Sequence, residues 1–153
     1  MVCIRPAEPS ESRDLTELAM RSKAHWGYSA EFMASCRAEL TVAPENVAND
    51  VLSYFVAEEE GRRLGFCALE RVSLVEFELE ALFVEPEQMG RGIGRALMAH
   101  VVHFAREHGA QSILIQGDPN AAGFYESSGA IHVGERESAS IPGRFLPEYR
   151  ISL

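Results

Sequence analysis

The chain has 153 residues, of which 46% are hydrophobic and 24% are charged, and its formal net charge is −9 at pH 7. This composition predicts a single globular domain over residues 1–153 that is long enough to bury a core. The acidic balance argues against a nucleic-acid partner, because little positive charge is free to neutralise phosphates. No apolar run approaches the ~20 residues that cross a bilayer, so we expect no membrane partner.

The cysteines Cys3, Cys36 and Cys67 are too widely spaced for a zinc site or a Cys-x-x-Cys motif. We interpret them as buried or half-buried free thiols of a reducing compartment, and we expect no bound metal. The first six residues lack the apolar segment of a signal peptide. These features together predict a cytoplasmic protein.

The N-terminal third predicts a short strand over Val2–Arg5 followed by two helices. The first helix opens after Pro9, and Ser29 is placed to cap the second helix over Ala30–Leu40. The connection between the helices is unusually aromatic, with the side chains of His25, Trp26 and Tyr28. Two interpretations stay open: these residues pack the loop itself, or they shape a substrate site.

The middle of the chain predicts an antiparallel meander. Val51–Glu58 and Leu64–Val72 form a hairpin around Gly61, and a third strand covers Val75–Val84. The side chains of this third strand alternate in character. Strict alternation would place these residues on one face: Glu76, Glu78, Glu80, Leu82 and Val84.

A glycine-rich loop then enters a helix. Its glycines alternate along the chain: Gly90, Gly92 and Gly94. From Ile93 onward the apolar residues recur with helical period. The first N–H groups of a helix have no intrahelical acceptor and carry partial positive charge, and glycines let an anion approach them closely. Arg91 and Arg95 add charge, so this loop predicts an anion site.

Two common nucleotide motifs fit this loop poorly. The chain has no Gly-Lys-Ser/Thr ending of a P-loop, and Arg95 stands where a dinucleotide fingerprint requires glycine. Several strands also precede the loop, whereas that fingerprint normally follows the first strand. A nucleotide-binding domain therefore remains only a third alternative.

The C-terminal third predicts a strand over Gln111–Gln116 that runs parallel to the meander strand across the helical crossover. A helix over Asn120–Ser128 and strands over Ile131–Glu137 and Tyr149–Leu153 follow. The loop over Ser140–Pro147 is predicted to be irregular.

Two segments resemble the GNAT superfamily of acyl-CoA-dependent N-acetyltransferases. The segment from Leu82 to Leu97 resembles the family's pyrophosphate loop, Arg/Gln-x-x-Gly-x-Gly/Ala, although Met89 stands where Arg or Gln is usual. The segment Asp118–Ala130 resembles the family's Asn…Phe-Tyr-Glu-x-x-Gly-Phe block.

The resemblance implies an α/β (α+β) GNAT fold: a mixed, mostly antiparallel sheet of six to seven strands, about four helices and a splayed central strand pair. It implies acetyl-CoA as the cofactor. The cofactor-binding residues would be Leu82, Phe83, Val84, Met89, Gly90, Arg91, Gly92, Ile93, Gly94, Arg95, Asn120 and Phe124. Asn120 is equally suited to capping its own helix.

The same resemblance implies catalytic roles. Tyr125 would protonate the coenzyme A thiolate, and Glu78, or failing that Glu80, would accept the proton of the amine. The alternatives are a tyrosine that only packs the core and a solvated face of carboxylates. In this fold His25, Trp26 and Tyr28 would border the acceptor.

The leading interpretation is an acetyltransferase that moves an acetyl group directly from acetyl-CoA to a primary amine of a small-molecule or peptide acceptor. A homodimer is compatible with it. The alternative is a non-catalytic acyl-CoA-binding sensor or partner-binding module. No motif in the sequence identifies the acceptor.

Overall fold

The structure is a computed structural model that describes all 153 residues. Its seven strands are β1 (Cys3–Pro6), β2 (Leu52–Glu59), β3 (Arg62–Arg71), β4 (Glu76–Val84), β5 (Ser112–Gln116), β6 (Ile131–Glu137) and β7 (Phe145–Ser152). Its five α-helices are α1 (Ser12–Ala24), α2 (Ala30–Leu40), α3 (Pro44–Val47), α4 (Ile93–Glu107) and α5 (Ala122–Ser127). None of these helices combines the length and the apolar character that crossing a membrane requires.

All seven strands form one sheet in the order β1-β2-β3-β4-β5-β7-β6. Only β4 and β5 are parallel, as the crossover through α4 predicts. Their pairing covers Glu76–Leu79 against Ser112–Ile115, and beyond Leu79 the strand β4 has no partner on that side. The predicted mixed sheet with a splayed central pair is therefore confirmed.

Helices cover both faces of the sheet. On one face α4 buries the predicted apolar stripe, including Leu97 and Val101, against the central strands. On the other face α1 packs Leu15 and Leu18 against Phe66. The two apolar layers hold β4 between them, so the position of its splayed end is determined by packing on both sides.

The predicted strict alternation along β4 is wrong beyond Leu79. Ala68 pairs with Ala81 but Leu69 pairs with Leu79, so Glu80 is an extra residue in a β-bulge. The bulge reverses the faces: Leu82 and Val84 join Phe77 and Leu79 on the α4 side, and Ala81 and Phe83 face α1. A sequence pattern of period two cannot reveal this, because both halves of the strand alternate.

Two predictions about secondary structure and one about burial also need correction. Pro44–Val47 is a short helix inside a predicted turn, which makes five helices instead of about four. Strand β7 begins at Phe145, inside the predicted irregular loop. The carbonyl of Pro147 accepts a hydrogen bond from the N–H of Gly117 at 2.9 Å, so strand pairing continues into this segment. Cys3 is exposed, whereas Cys36 and Cys67 are buried as expected.

A buried carboxylate joins the first strand, the first helix and the hairpin. Glu11 is 5% exposed and accepts two hydrogen bonds from Arg5, at 2.8 and 2.9 Å. Arg63 of β3 donates to it at 2.5 Å, and the N–H of Glu8 donates at 2.9 Å. Hydrogen bonding from Arg5 first, and then from Arg63, lowers the pKa of Glu11 to about 2.

We expect Glu11→Gln to lower the free energy of unfolding by about 2 kcal/mol at pH 7, because charge-assisted hydrogen bonds are lost. Because the folded-state pKa lies below the ordinary value of 4.5, this contribution is complete above pH 4.5 and disappears as the pH falls toward about 2. Urea unfolding of both proteins across this range measures the difference. The control is Asp14→Asn at the exposed partner of Arg63, which should cost under about 1 kcal/mol; a pH-independent difference for Glu11 would contradict the assignment.

Candidate active site

The splay between β4 and β5 opens a cleft of about 890 Å³. One end is formed by the glycine loop and the first turn of α4, and the opposite end by α2, α3 and the starts of β2 and β4. Most of the predicted site residues line it: Trp26, Glu78, Glu80, Leu82, Phe83, Val84, Met89, Gly90, Gly92, Ile93, Gly94, Arg95, Asn120, Phe124 and Tyr125. The structure thus brings together in one cavity two segments that lie far apart in the chain.

The glycine loop presents a run of free amides to this cleft. Gly90 and Gly92 have φ of 86° and 83°, a conformation that strains any residue with a Cβ atom. No N–H group from Gly90 to Arg95 has an acceptor within the chain; the first intrahelical bond is from Ala96 to the carbonyl of Gly92. Six consecutive free donors at the positive end of a helix form an anion site.

The side chains of the glycine loop differ in whether they face the cleft and can contact a ligand there. Arg91 does not line the cleft, because its guanidinium contacts Gln88 and pairs with Glu59 at 3.1 Å. Arg95 does line it and has no carboxylate partner. Met89, in the family's Arg/Gln position, gives the cleft an apolar thioether instead of a donor. Arg95 is therefore the one arginine side chain of this loop that faces the cleft.

Phe124 and Tyr125 close the cleft from the other side of the splay. The ring of Phe124 lies against Gly94, where a Cβ atom would come within 3.2 Å of it. Tyr125 is 7% exposed and packs against Tyr149, with ring centroids 5.7 Å apart. Burial is the main cause that raises the pKa of its phenol. Its hydroxyl makes no hydrogen bond within the chain, although the residue lines the cleft.

Three carboxylates meet on the α1 face of the sheet. Glu70, Glu78 and Glu80 each place an oxygen within 4.8 Å of the others, close enough to share a cation. Of these three carboxylates only Glu78 has a cationic partner, which is Arg136 of β6. Glu80 is exposed and lines the cleft; partial burial of its carboxyl, together with the nearby carboxylates of Glu70 and Glu78, raises its pKa to about 8.

A polar network ties the end of β5 to two loops. Asp118 accepts from the Tyr28 hydroxyl at 2.8 Å, the Asn120 N–H at 2.9 Å and the Lys23 ammonium at 3.2 Å. Arg144 and the Asn120 amide donate to the Tyr28 hydroxyl, each at 3.0 Å. Burial alone would raise the pKa of Asp118, but these donors, led by the Asn120 N–H, hold it below its usual range.

This network changes three interpretations made from the sequence. Asp118, and not Asn120, caps the turn before α5. Tyr28 does not line the cleft but stacks on Phe32 and holds Asp118. His25 also lies outside the cleft, with its ring against Trp26. Of the aromatic connection only Trp26 reaches the cavity.

Sequence reasoning missed the roles of Glu70, Asp118, Arg136 and Arg144. The Asp-Pro-Asn run at Asp118 is a readable capping signal. Nothing in the local sequence singles out Glu70 or Arg136, because they meet their partners only across strands and through the sheet order.

Comparison with known proteins agrees with this geometry. Residues 50–129 match the family described as "Acetyltransferase (GNAT) domain". The chain is 34% identical over 130 residues to the peptidyl-lysine N-acetyltransferase YiaC of Escherichia coli, covering 82% of this chain and 81% of the relative. It is 29% identical over 136 residues to the 5-NmdU N-acetyltransferase of a Pseudomonas phage, covering 88% and 91%.

Among solved structures, PaiA N-acetyltransferase from Thermoplasma acidophilum in complex with coenzyme A has a TM-score of 0.83 at 17% identity, covering 100% of this chain and 99% of that one. This likeness shows the shared fold. The chain belongs to the GNAT acetyltransferase family and is an acetyltransferase. Acetyl-CoA is the donor that this family uses, so the cofactor prediction is confirmed, and the sensor alternative gives way to an enzyme.

The cleft has the features that acetyl-CoA requires. The run of free amides from Gly90 to Arg95 matches the anionic pyrophosphate. The unpartnered side of β4 beyond Leu79 matches an extended chain with amide groups.

The loop conformation yields a stability test. Gly92→Ala should lower the free energy of unfolding by about 1–2 kcal/mol, because an L-residue with positive φ is strained. The matched control is Gly123→Ala in α5, where φ is helical and a Cβ atom meets nothing within 4 Å; this change should raise stability by up to about 1 kcal/mol. Urea unfolding measures both, and equal effects of the two substitutions would contradict the described loop.

Proposed function

We propose that the chain transfers an acetyl group from acetyl-CoA directly to a primary amine, with residues 1–153 acting as one catalytic domain. The observation that carries the proposal is the meeting of three features in one cleft: the free amides of the glycine loop, the unpartnered end of β4 and the hydroxyl of Tyr125. The named acceptors of the relatives differ, so the acceptor class has to be inferred from this cleft. A cytoplasmic location and a homodimer remain parts of the proposal.

The donor half of the cleft lies at the start of α4. Acetyl-CoA, when bound, supplies an acetyl group already activated as a thioester. The amides of Gly90–Arg95 and the guanidinium of Arg95 would hold its pyrophosphate, and the backbone of Leu82–Val84 would hold the pantetheine arm as an added strand. Phe124 closes this half against Gly94 and excludes water.

Tyr125 is the proposed acid. Its raised pKa keeps the phenol protonated at neutral pH, and its hydroxyl is free of partners within the protein. Its free hydroxyl is therefore available to a ligand in the cleft that the residue lines, which favours a role toward the leaving sulfur over packing alone. As the amide C–N bond forms and the thioester C–S bond breaks, Tyr125 gives its proton to sulfur.

Glu80 is the proposed base, ahead of Glu78. Arg136 forms an ion pair with Glu78 and neutralises its charge, whereas Glu80 has no cationic partner. The bulge directs Glu80 into the cleft, and its pKa of about 8 makes its ionised form, which predominates above about pH 8, a base for the attacking amine. Glu80 therefore takes the proton that the amine loses on attack.

Removal of the Tyr125 hydroxyl tests the acid. We expect Tyr125→Phe to lower kcat about 100-fold, because general acid catalysis is lost, while acetyl-CoA affinity stays within about twofold. The control is Tyr149→Phe, which removes a phenol from the neighbouring, equally buried ring and should leave kcat within about twofold. Free-thiol release and thermal shift with acetyl-CoA provide the two measurements, and an unchanged kcat would remove Tyr125 from this role.

The pH dependence tests the base. For the native protein, kcat/KM should rise with pH through an inflection near 8, because the ionised form of Glu80 is the active one. Glu80→Gln should abolish this inflection and lower kcat/KM about 100-fold.

Glu78→Gln serves as the comparison for the pH test. It should move the inflection to lower pH, because a carboxylate that raises the pKa of Glu80 is removed. Any inflection from the acceptor's own amine stays in all three proteins. An inflection near 8 that survives Glu80→Gln would assign it to another group.

A further inference from the structure

The end of the cleft farthest from the glycine loop is acidic. Gly65 pairs with Val84 next to the loop, and Glu70 pairs with Glu78 five residues further along β3. At about 3.3 Å per residue the carboxylates lie about 17 Å along the strand from the loop. The two ends of the cleft therefore carry opposite electrostatic character.

This negative charge is only partly compensated by the protein. Arg136 pairs with Glu78 but is shared with Glu148, at 2.9 Å. Neither Glu70 nor Glu80 has a cationic partner. Lys23 also lines the cleft, but its ammonium is held by Asp118 at 3.2 Å. Carboxylates so close together repel one another, and a cation from outside would relieve that repulsion.

An independent feature of the same cleft indicates a ligand. Tyr125 is more than nine-tenths buried, and its hydroxyl lacks a partner within the chain while the residue lines the cavity. A hydroxyl without a partner in the chain is available to a ligand in the cleft. Glu70, Glu78 and Glu80 line the same cleft, so one ligand can reach both Tyr125 and the carboxylates.

Side chains that are largely apolar flank the carboxylates within the cleft. Leu52 and Tyr54 of β2 line the cleft beside the carboxylates. Leu52 pairs with Glu70 and Tyr54 pairs with Ala68, so the Tyr54 ring stands on the face of the sheet that carries Glu70. Burial, with the carboxylates of Glu80 and Glu70, raises the pKa of the Tyr54 phenol. Aliphatic carbons would pack on these side chains, and the face of Tyr54 also attracts a cation.

We infer that the acceptor is an aliphatic diamine: one nitrogen reacts beside Glu80, and a second ammonium group is held by Glu70. The inference rests on the proposed function and names its acceptor class. Glu70 is then a substrate-binding residue that determines specificity without taking part in the chemistry.

Paired acceptors test this inference. Diaminobutane and butylamine have the same carbon chain and differ by the second ammonium group. With acetyl-CoA at about pH 9, where Glu80 is ionised, kcat/KM should be at least about tenfold higher for diaminobutane, since one added charge-assisted contact is worth about that factor.

Glu70→Gln should lower kcat/KM for diaminobutane about tenfold through KM, and should leave butylamine within about twofold. Glu70→Asp should recover part of the loss. The control Glu31→Gln removes the same charge from an exposed position on α2 outside the cleft and should change neither amine.

Each outcome has a definite meaning. If acetyl-CoA raises the melting temperature but both amines react equally, or diaminobutane does not react, the diamine inference is overturned and the proposed transferase stands. A diamine preference that survives Glu70→Gln also overturns it. If acetyl-CoA has no effect on the melting temperature, the proposed function fails, and the inference fails with it.

Discussion

The end of parallel pairing at Leu79 is the constraint on which the rest of the molecule depends. Strand β4 continues for five residues beyond it, whereas β5 turns away at Gly117 toward the turn capped by Asp118. Two parallel strands that separate leave backbone groups without partners, and such groups are stable only beside water or a ligand. The apolar layers of α1 and α4 hold the separation open from both faces.

The two ends of the cleft produced by the splay favour ligands of opposite charge. At the loop end, free amides at the start of α4 and the side chain of Arg95 favour an anion. At the other end, carboxylates on β3 and β4 favour a cation. A polyanionic donor and a cationic acceptor would therefore enter from opposite ends, and their reacting groups would meet near the bulge at Glu80. The bulge matters twice, because it directs Glu80 into the cleft and places Leu82 in the α4 core.

The polar network around Asp118 links parts of the site that would otherwise move separately. It joins Lys23 at the end of α1, Tyr28 in the aromatic connection and Arg144 before β7 to the turn that carries Asn120. Tyr125 follows five residues after Asn120. The network is thus placed to position the proposed acid relative to the acceptor end of the cleft.

Local sequence determined most of the fold. The glycine loop, the helical period from Ile93, the strands of the meander and the Asp118–Ala130 block all act over short distances, so their patterns are readable and led to the correct family. Tertiary structure decided the rest. A bulge does not disturb alternation on either side, so the true faces of Leu82 and Val84 emerge only from pairing with β3. Strand order and register likewise decide that Glu78 pairs with Arg136, that Glu80 has no cationic partner and that Glu70 lies beside both carboxylates. The sequence cannot show this, because these residues are neighbours in space and not in the chain.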